Sequence, residues 1–517
     1  MGELNFGRIL RRTAMFADRT AVIDLGTGHE STYAQQLERV GHLCGVLRGL
    51  GVSGGDRVAV MAGGSHVYVE LWQACLAGAA VIHPINNRLA PDELVHVLTD
   101  SGTTVMFVDA TFAPVVAGLR DRLPGIREVV LIETSGETDA PVDSRLEDLL
   151  AATDDRALPA EPDDDAMAVL MYTGGTTGLP KGVVLAQRAV ALVIYRMHIA
   201  APLNGDTRFL AFLPMFHMAG VSAWGLFPVT GGAVVVQPAF VPAHANEAIR
   251  DHAITHVGSV PTMLAMMLQD PDFEPSMFES LRLVMYGAAP MPAALLDRMM
   301  ATWPALEFFQ AYGMTECAAT VTGLDPEDHR RGGDRLRSVG RPCVGVELAI
   351  RTPGDADPVA TGEIGEIWVR CDSAMTEYWN QREMTAASLV DGWYRTGDAG
   401  RLDELGYLFL EDRVKDMIVT GGENVYSIEV ENAIGTHPAV KQVAVVGVPD
   451  ETWGELVHAV VVTDEGAVTA AELGAHAREQ IAGYKVPRSW AFRTEPLPLS
   501  AAGKVLKRAL RDEVAGS

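Results

Sequence analysis

The sequence predicts an α/β fold in two parts, a large N-terminal domain over residues 1–413 and a small α+β domain over 414–517. Three observations carry that expectation. Apolar, strand-like runs alternate with helix-period segments through the first part, the pattern of a sheet layered with helices. The 517 residues exceed what one compact core holds and call for two or more domains. After Arg413-Val414-Lys415 the texture changes to a compact order of helix, strand, strand and helix.

In chain order, Arg57–Met61, Ala80–Pro84, Thr104–Val108 and Glu128–Ile132 read as strands, with a helix-period segment His66–Leu76 between the first two. Glu161-Pro162-Asp163-Asp164-Asp165 reads as a solvated acidic loop feeding the strand-like run Ala166–Met171. Phe209–Phe240 is long and apolar, but Pro214, His217, Pro228, Gly231 and Gly232 interrupt it, so it reads as buried strand, turn and helix. Leu281–Met285, Leu306–Phe309 and Met417–Val419 are further strands, each running into a motif described below. In the small domain, helices are expected at Ser427–Thr436 and Thr469–Gly483, and strands at Gln442–Val448 and Val457–Thr463.

Composition excludes several classes. A net charge of −26 with no basic patch argues against a nucleic-acid partner. No apolar run of membrane-spanning length free of charge and turn residues is present, and the charged N-terminus has no signal-peptide core. Five scattered cysteines without a CxxC pair fit a reducing cytoplasm, the expected location. The oligomeric state is open, a homodimer included. Lysine is rare, six residues against 35 arginines, so each retained lysine raises a question of purpose. A compact ammonium serves point-charge contacts to phosphate or carboxylate that a planar guanidinium does not fit.

The densest motif is Tyr172-Thr173-Gly174-Gly175-Thr176-Thr177-Gly178-Leu179-Pro180-Lys181-Gly182. Glycines let backbone N–H groups turn toward an anion, threonines add hydroxyl donors and Lys181 adds charge, which makes a phosphate cradle. It is not a Walker A loop, whose lysine follows glycine directly and precedes Ser or Thr. This run closely resembles the phosphate-binding loop of the adenylate-forming superfamily: acyl-CoA synthetases, peptide-synthetase adenylation domains and luciferases. Gly174 stands where serine is common, which removes one hydroxyl donor but keeps the backbone donors.

The resemblance covers essentially the whole chain and implies a large N-terminal domain of several subdomains with a small C-terminal domain that rotates. It also implies roles. Thr173, Gly174, Gly175, Thr176, Thr177, Gly178 and Lys181 would hold the ATP phosphates. In Tyr286-Gly287-Ala288-Ala289-Pro290, Gly287, Ala288 and Ala289 would lie beside adenine, though a tight strand-to-helix turn explains the same residues. In Gln310-Ala311-Tyr312-Gly313-Met314-Thr315-Glu316, Ala311, Tyr312, Gly313 and Met314 would meet the nucleotide, Thr315 the α-phosphate and Glu316 a Mg²⁺ ion. Asp398 in Thr396-Gly397-Asp398 would accept hydrogen bonds from the ribose hydroxyls, with Arg413 as a second ribose or phosphate contact. Lys504 would bridge the attacking carboxylate and the α-phosphate, and Lys415 would mark the hinge. Gly421 and Gly422 would wall a pantetheine tunnel, with Trp453, Tyr484 and Arg488 against CoA. His217, in Pro214-Met215-Phe216-His217-Met218, would gate the acyl pocket, although a lone histidine in an apolar stretch is commonly structural.

Other patterns are discounted. His252 and His256 lack a third ligand and read as structural. Gly51-Val52-Ser53-Gly54-Gly55 has the letters of a nucleophile elbow but leads into a strand, where an elbow leaves one. The expected function is an ATP- and Mg²⁺-dependent carboxylate–CoA ligase that forms acyl-AMP and then acyl-CoA. Phe209–Phe240 holds no acid to pair an amino group, which argues against an amino acid, and no Lys or Arg to pair a second carboxylate, which weakens a malonate-like substrate, although Arg208 just outside it keeps that option open. The overall pattern, with Gly421-Gly422-Glu423-Asn424-Val425-Tyr426, looks most like bacterial medium- or long-chain fatty-acid–CoA ligases, and that resemblance makes such a fatty acid the expected substrate. Met215, Met218, Val221, Trp224, Leu226 and Phe227 would line the pocket or the core. An aryl-acid–CoA ligase, an enzyme loading a carrier protein, and a nucleotide-binding relative without activity stay open.

Overall fold

The computed structural model describes residues 4–134, 136–173, 179–289, 291–413, 418–420, 423–450, 453–498 and 505–515. The chain forms two compact units, one of residues 1–347 with 370–392, the other of 348–369 with 393–517. The boundary expected at 413/414 therefore falls inside the second unit, and Lys415 lies outside the described residues.

Two sheets organise the first unit. Strands Arg57–Met61, Val81–Pro84, Val105–Asp109 and Glu128–Ile132 are parallel neighbours, and all four are buried from end to end or in all but their first residue. Such continuous apolar runs suit parallel strands covered on both faces. This sheet continues through Met167–Thr173 and then turns antiparallel at Lys181–Ala186, ending on Glu377–Tyr378. Thr173 pairs with Lys181, so these residues stand opposite each other at the mouth of the glycine-rich segment.

In the other sheet, Ala233–Val236, Arg208–Ala211, His256–Ser259, Leu283–Gly287 and Glu307–Tyr312 run parallel side by side. Parallel strands release their loops at one edge, and open α/β sheets bind ligands outside the carboxyl ends of the strands. That edge emits Phe212–His217 after the second strand, Ala288–Ala289 after the fourth and Gly313–Glu316 after the fifth. Three separately expected site segments thus share one edge. The core below them is built of Leu210, Val235, Val257, Val284 and Phe308 with residues of the covering helices, among them Ile249, Leu264 and Met299.

The second unit contains the antiparallel strands Gly365–Cys371, Trp393–Leu402 and Leu408–Arg413. It also contains a sheet of Ile418–Thr420, Glu423–Val425, Gln442–Asp450, Gly454–Val462 and Ser489–Arg493. Helices Ser427–Gly435 and Ala470–Arg478 cover that sheet around Val445, Ala459 and Val461. The second helix is shorter than expected. Its start is held by a capping box, Thr469 Oγ1 accepting from the Glu472 N–H while the Glu472 carboxylate accepts from the Thr469 N–H. Among the described residues, no helix is long and apolar enough to cross a membrane.

Candidate active site

Gly313 opens the loop expected to hold the nucleotide. A Cβ at this position would sit 1.5 Å from the backbone oxygen of Ala319, so only glycine fits. The loop then makes a short 3-10 turn over Thr315–Cys317 and returns through Ala318 and Ala319, both at positive φ (55° and 87°). Left-handed alanines cost roughly 1–3 kcal/mol each and persist where the surroundings over-determine them. The surroundings here include Arg196, a buried guanidinium on helix Gln187–Ala200 that donates to the Thr320 carbonyl at 2.8 Å, the Val344 carbonyl at 3.1 Å and Ser373 Oγ at 3.0 Å. A backbone bond from the Met375 N–H to the Glu316 carbonyl (2.7 Å) ties the loop down again.

Glu316 projects from this turn half-buried, and its Oε1 accepts a hydrogen bond from the Tyr378 hydroxyl at 3.0 Å. The Lys181 ammonium lies 4.8 Å from the centre of the same tyrosine ring. Lys181, Tyr378 and Glu316 thereby form one connected group that joins the antiparallel end of one sheet to the carboxyl edge of the other. Its chemistry is a cation suited to phosphate beside a carboxylate suited to a hard divalent cation. Tyr378 carried no motif in the sequence. It reaches Glu316 because Glu377–Tyr378 pairs with Val183–Val184, beside Lys181.

Cys317, fully buried behind Glu316, shares a hydrogen bond with Cys371, whose thiol that bond draws down to about 6 while Cys317 is pushed well up. Tyr172 donates to Asp100 Oδ2 at 2.5 Å at the end of its strand. Burial, with that carboxylate, raises the phenol above its usual range.

The expected adenine residues meet across adjacent strands. Gly287 pairs with Ala311, and a Cβ on Gly287 would stand 2.4 Å from the Ala311 carbonyl. Ala288 adopts a left-handed φ of 64°. Tyr312 is buried at the end of its strand. His217 ends the Phe212–His217 loop, half-buried, its ring 4.8 Å from Phe216. Around it Met215, Phe216, Met218 and Val221 are buried. Trp224 belongs to the core, stacked on Trp72 at 4.2 Å with Phe6 against its edge, and Phe227 packs on Phe209. These two are not pocket walls.

In the second unit, Asp398 pairs with Arg413 across adjacent strands, which puts both expected ribose residues at one register position. Thr396 Oγ1 accepts from the Asp398 N–H at 3.0 Å and holds the turn. Arg488 lies with its guanidinium 3.6 Å from the Trp453 ring centre, and Tyr484 is exposed near it in sequence. Gly174, Gly175, Thr176, Thr177, Gly178, Gly421, Gly422 and Lys504 lie outside the described residues. Among the discounted patterns, His256 is buried in its strand against Thr255 Oγ1 (2.7 Å), and exposed Ser53 donates to half-buried Asp56 at 2.7 Å, with no histidine bonded to it among the described residues.

The family of AMP-binding enzymes matches residues 10–379, and the C-terminal domain of AMP-binding enzymes matches residues 429–504. The chain belongs to the AMP-binding enzyme family. It is similar to a feruloyl-CoA synthase of Amycolatopsis sp, 38% identical over 505 residues and covering 97% of each chain. It is also 36% identical to the fatty acid–[acyl-carrier-protein] ligase ScoC of Streptomyces coeruleorubidus, over 95% of this chain and 92% of that one. Among solved structures, the o-succinylbenzoate CoA synthetase of Bacillus subtilis in complex with ATP and magnesium ion superposes with a TM-score of 0.84 at 29% identity, covering 99% of this chain and 100% of the other. The activity is that of an AMP-forming acid–CoA ligase, and ATP with Mg²⁺ and CoA are what the family uses.

Proposed function

We propose that the protein joins a medium- or long-chain fatty acid to CoA through an acyl-adenylate. The observation behind the substrate reading is the absence of any charged side chain from Phe209 to Phe240, the stretch that carries His217. An acid with an apolar tail needs no counter-charge beyond its own head group, whereas an amino acid or a dicarboxylate does. Arg208, just outside the stretch, is no substitute. It starts its strand, at the edge opposite His217, and donates to the His252 carbonyl at 2.7 Å.

In the proposed mechanism a carboxylate oxygen attacks the α-phosphorus of ATP and pyrophosphate leaves. Lys181 and residues 173–178 hold the outgoing phosphates, and Thr315 and Lys504 stabilise charge on the α-phosphate. Glu316 would hold Mg²⁺, which neutralises phosphate charge as the bond breaks. Asp398 and Arg413 fix the ribose, and Gly287 to Ala289 with Tyr312 fix the base. His217 separates the acyl site from the nucleotide. The domain of residues 414–517 then turns about Lys415, withdrawing Lys504 and bringing Gly421 and Gly422 to the acyl-adenylate. The CoA sulfur attacks the acyl carbon and AMP leaves. Trp453, Arg488 and Tyr484 suit the CoA nucleotide, since an aromatic–guanidinium pair offers both a stacking face and a phosphate donor.

An aryl acid is the second reading, supported by the 38% identity to a feruloyl-CoA synthase. Pyrophosphate release, measured with fatty, aryl and amino acids and with or without CoA, tests the proposal. Thioester formation greatest with a fatty acid is expected. A preference for aryl acids replaces the first reading with the second, and pyrophosphate release without thioester indicates a carrier-protein acceptor.

A further inference from the structure

His29, His66 and Glu70 form a cluster that takes no part in the chemistry above. One ligand atom of each, a ring nitrogen or a carboxylate oxygen, lies within 4.8 Å of the others. His66 and Glu70 are one turn apart on helix His66–Ala74 and share a face. His29 comes from the turn between strands Thr20–Asp24 and Glu30–Thr32, and its ring stacks on His66 at 4.0 Å.

Asp24 orients this arrangement. It is wholly buried, and its Oδ2 accepts from the His66 backbone N–H at 2.9 Å and from His66 Nδ1 at 2.7 Å. Its Oδ1 accepts from the backbone N–H groups of Gly26 (2.8 Å) and Thr27 (3.2 Å). A proton on Nδ1 leaves the lone pair on His66 Nε2, the carboxylate–histidine arrangement that prepares an imidazole to ligate a metal. His29 Nε2 is enclosed and makes no hydrogen bond. Glu70 is 1% exposed, with Arg39 Nε donating to its Oε2 at 2.8 Å. Arg39 also reaches Glu147 at 2.6 Å, so its charge is shared between two carboxylates. An enclosed imidazole nitrogen without a partner and a buried carboxylate are each costly features, and here they converge.

We propose that His29, His66 and Glu70 bind a divalent transition-metal ion of the zinc class. Two imidazoles and one carboxylate suit Zn²⁺, whereas Mg²⁺ and Ca²⁺ require oxygen donors, so this site is chemically separate from the magnesium of the reaction. To converge on an ion the two rings must turn out of their stack. Asp24 fixes His66, so His29 is the ring that moves, and no hydrogen bond holds it among the described residues. Bound metal would pin the first strand and its turn to the helix. The role is therefore structural, acting on the stability of the first unit. Arg39 opposes the ion by its charge and competes for the Glu70 carboxylate it binds at 2.8 Å, so it tunes the affinity.

The test uses the full-length protein freed of metal by chelation, titrated with Zn²⁺ by calorimetry and with Co²⁺ by visible absorption, without ATP. The expected result is one ion per chain, a ligand-field spectrum without thiolate charge transfer, and a melting temperature that rises with metal concentration. His29→Gln, on the half-buried turn, keeps the fold and weakens binding at least tenfold. Glu70→Gln does likewise, and Asp24→Asn weakens binding by about 10–100-fold through its effect on His66. Failure to bind either ion overturns the proposal. So does a stoichiometry and spectrum unchanged in His29→Gln, or thiolate charge transfer, which would assign the metal to cysteine.

Discussion

Replacing Tyr378 by phenylalanine isolates one link of the candidate site. The variant keeps the ring against which the Lys181 ammonium rests at 4.8 Å and removes only the hydroxyl that donates to Glu316 at 3.0 Å. A hydrogen bond to a charged group contributes roughly 1.5–3 kcal/mol. At about 1.4 kcal/mol per factor of ten, that corresponds to a loss of about 10–150-fold in adenylation. On the proposed roles the loss falls on the carboxylate that orients Mg²⁺, so the apparent affinity for Mg²⁺ at fixed ATP should drop with it. The KM for the carboxylic acid should stay nearly constant. Pyrophosphate release across a Mg²⁺ titration reads both quantities. Tyr378→Ala, which also removes the ring beside Lys181, should add a rise in KM for ATP. If Tyr378→Phe keeps adenylation within about twofold and leaves the Mg²⁺ dependence unmoved, Tyr378 does not position Glu316 for catalysis.

Four further outcomes are expected. Gly313→Ala should destabilise the first unit by about 3 kcal/mol or more, seen in the urea midpoint, because the added Cβ meets the Ala319 carbonyl at 1.5 Å. Arg488→Ala should raise KM for CoA about tenfold while pyrophosphate release without CoA stays unchanged. Lys504→Ala should lose adenylation yet still convert supplied acyl-AMP to thioester, and an equal fall in both half-reactions refutes the rotation about Lys415. His83 is fully buried, and burial, with the charge of Arg57, lowers its imidazole from 6.5 to about 3. The unfolded chain therefore takes up a proton that the native state refuses. The stability contribution is complete above pH 6.5 and declines by up to about 1.4 kcal/mol per unit as pH falls toward about 3. The drop in urea midpoint between about pH 7 and about pH 5 should shrink in His83→Gln.

Much of the fold was legible because burial writes itself into residue choice. Val58–Met61 and Val105–Asp109 lie between covered faces and are apolar or paired nearly throughout, so their strands announce themselves. Strand order did not. Arg208–Ala211 lies between Ala233–Val236 and His256–Ser259, an arrangement fixed by crossover connections for which no local residue is a marker. Apolar character alone also fails to separate pocket from core. Trp224 and Phe227 satisfied the same pattern as Met215 and Met218, yet the two aromatics are sealed by Trp72 and Phe209.

The same distinction between local and distant causes explains the site. Motif residues are readable where the backbone itself dictates them. Gly313 and Gly287 are glycines because carbonyl oxygens of Ala319 and Ala311 occupy the space a side chain would need. Tyr378 obeys no such rule, since any residue could pair with Val183 in that short strand. Its significance arises only because the pairing sets it between Lys181 and Glu316, two motif residues far apart in the chain. Arg196 is similar: its three bonds hold the left-handed alanines behind Glu316, and on its own helix it is one arginine among 35. The groups proposed to meet ATP were therefore chosen by their local chemistry. The groups that position them emerge only with tertiary contact, and those are the residues whose substitution most directly tests the proposed mechanism.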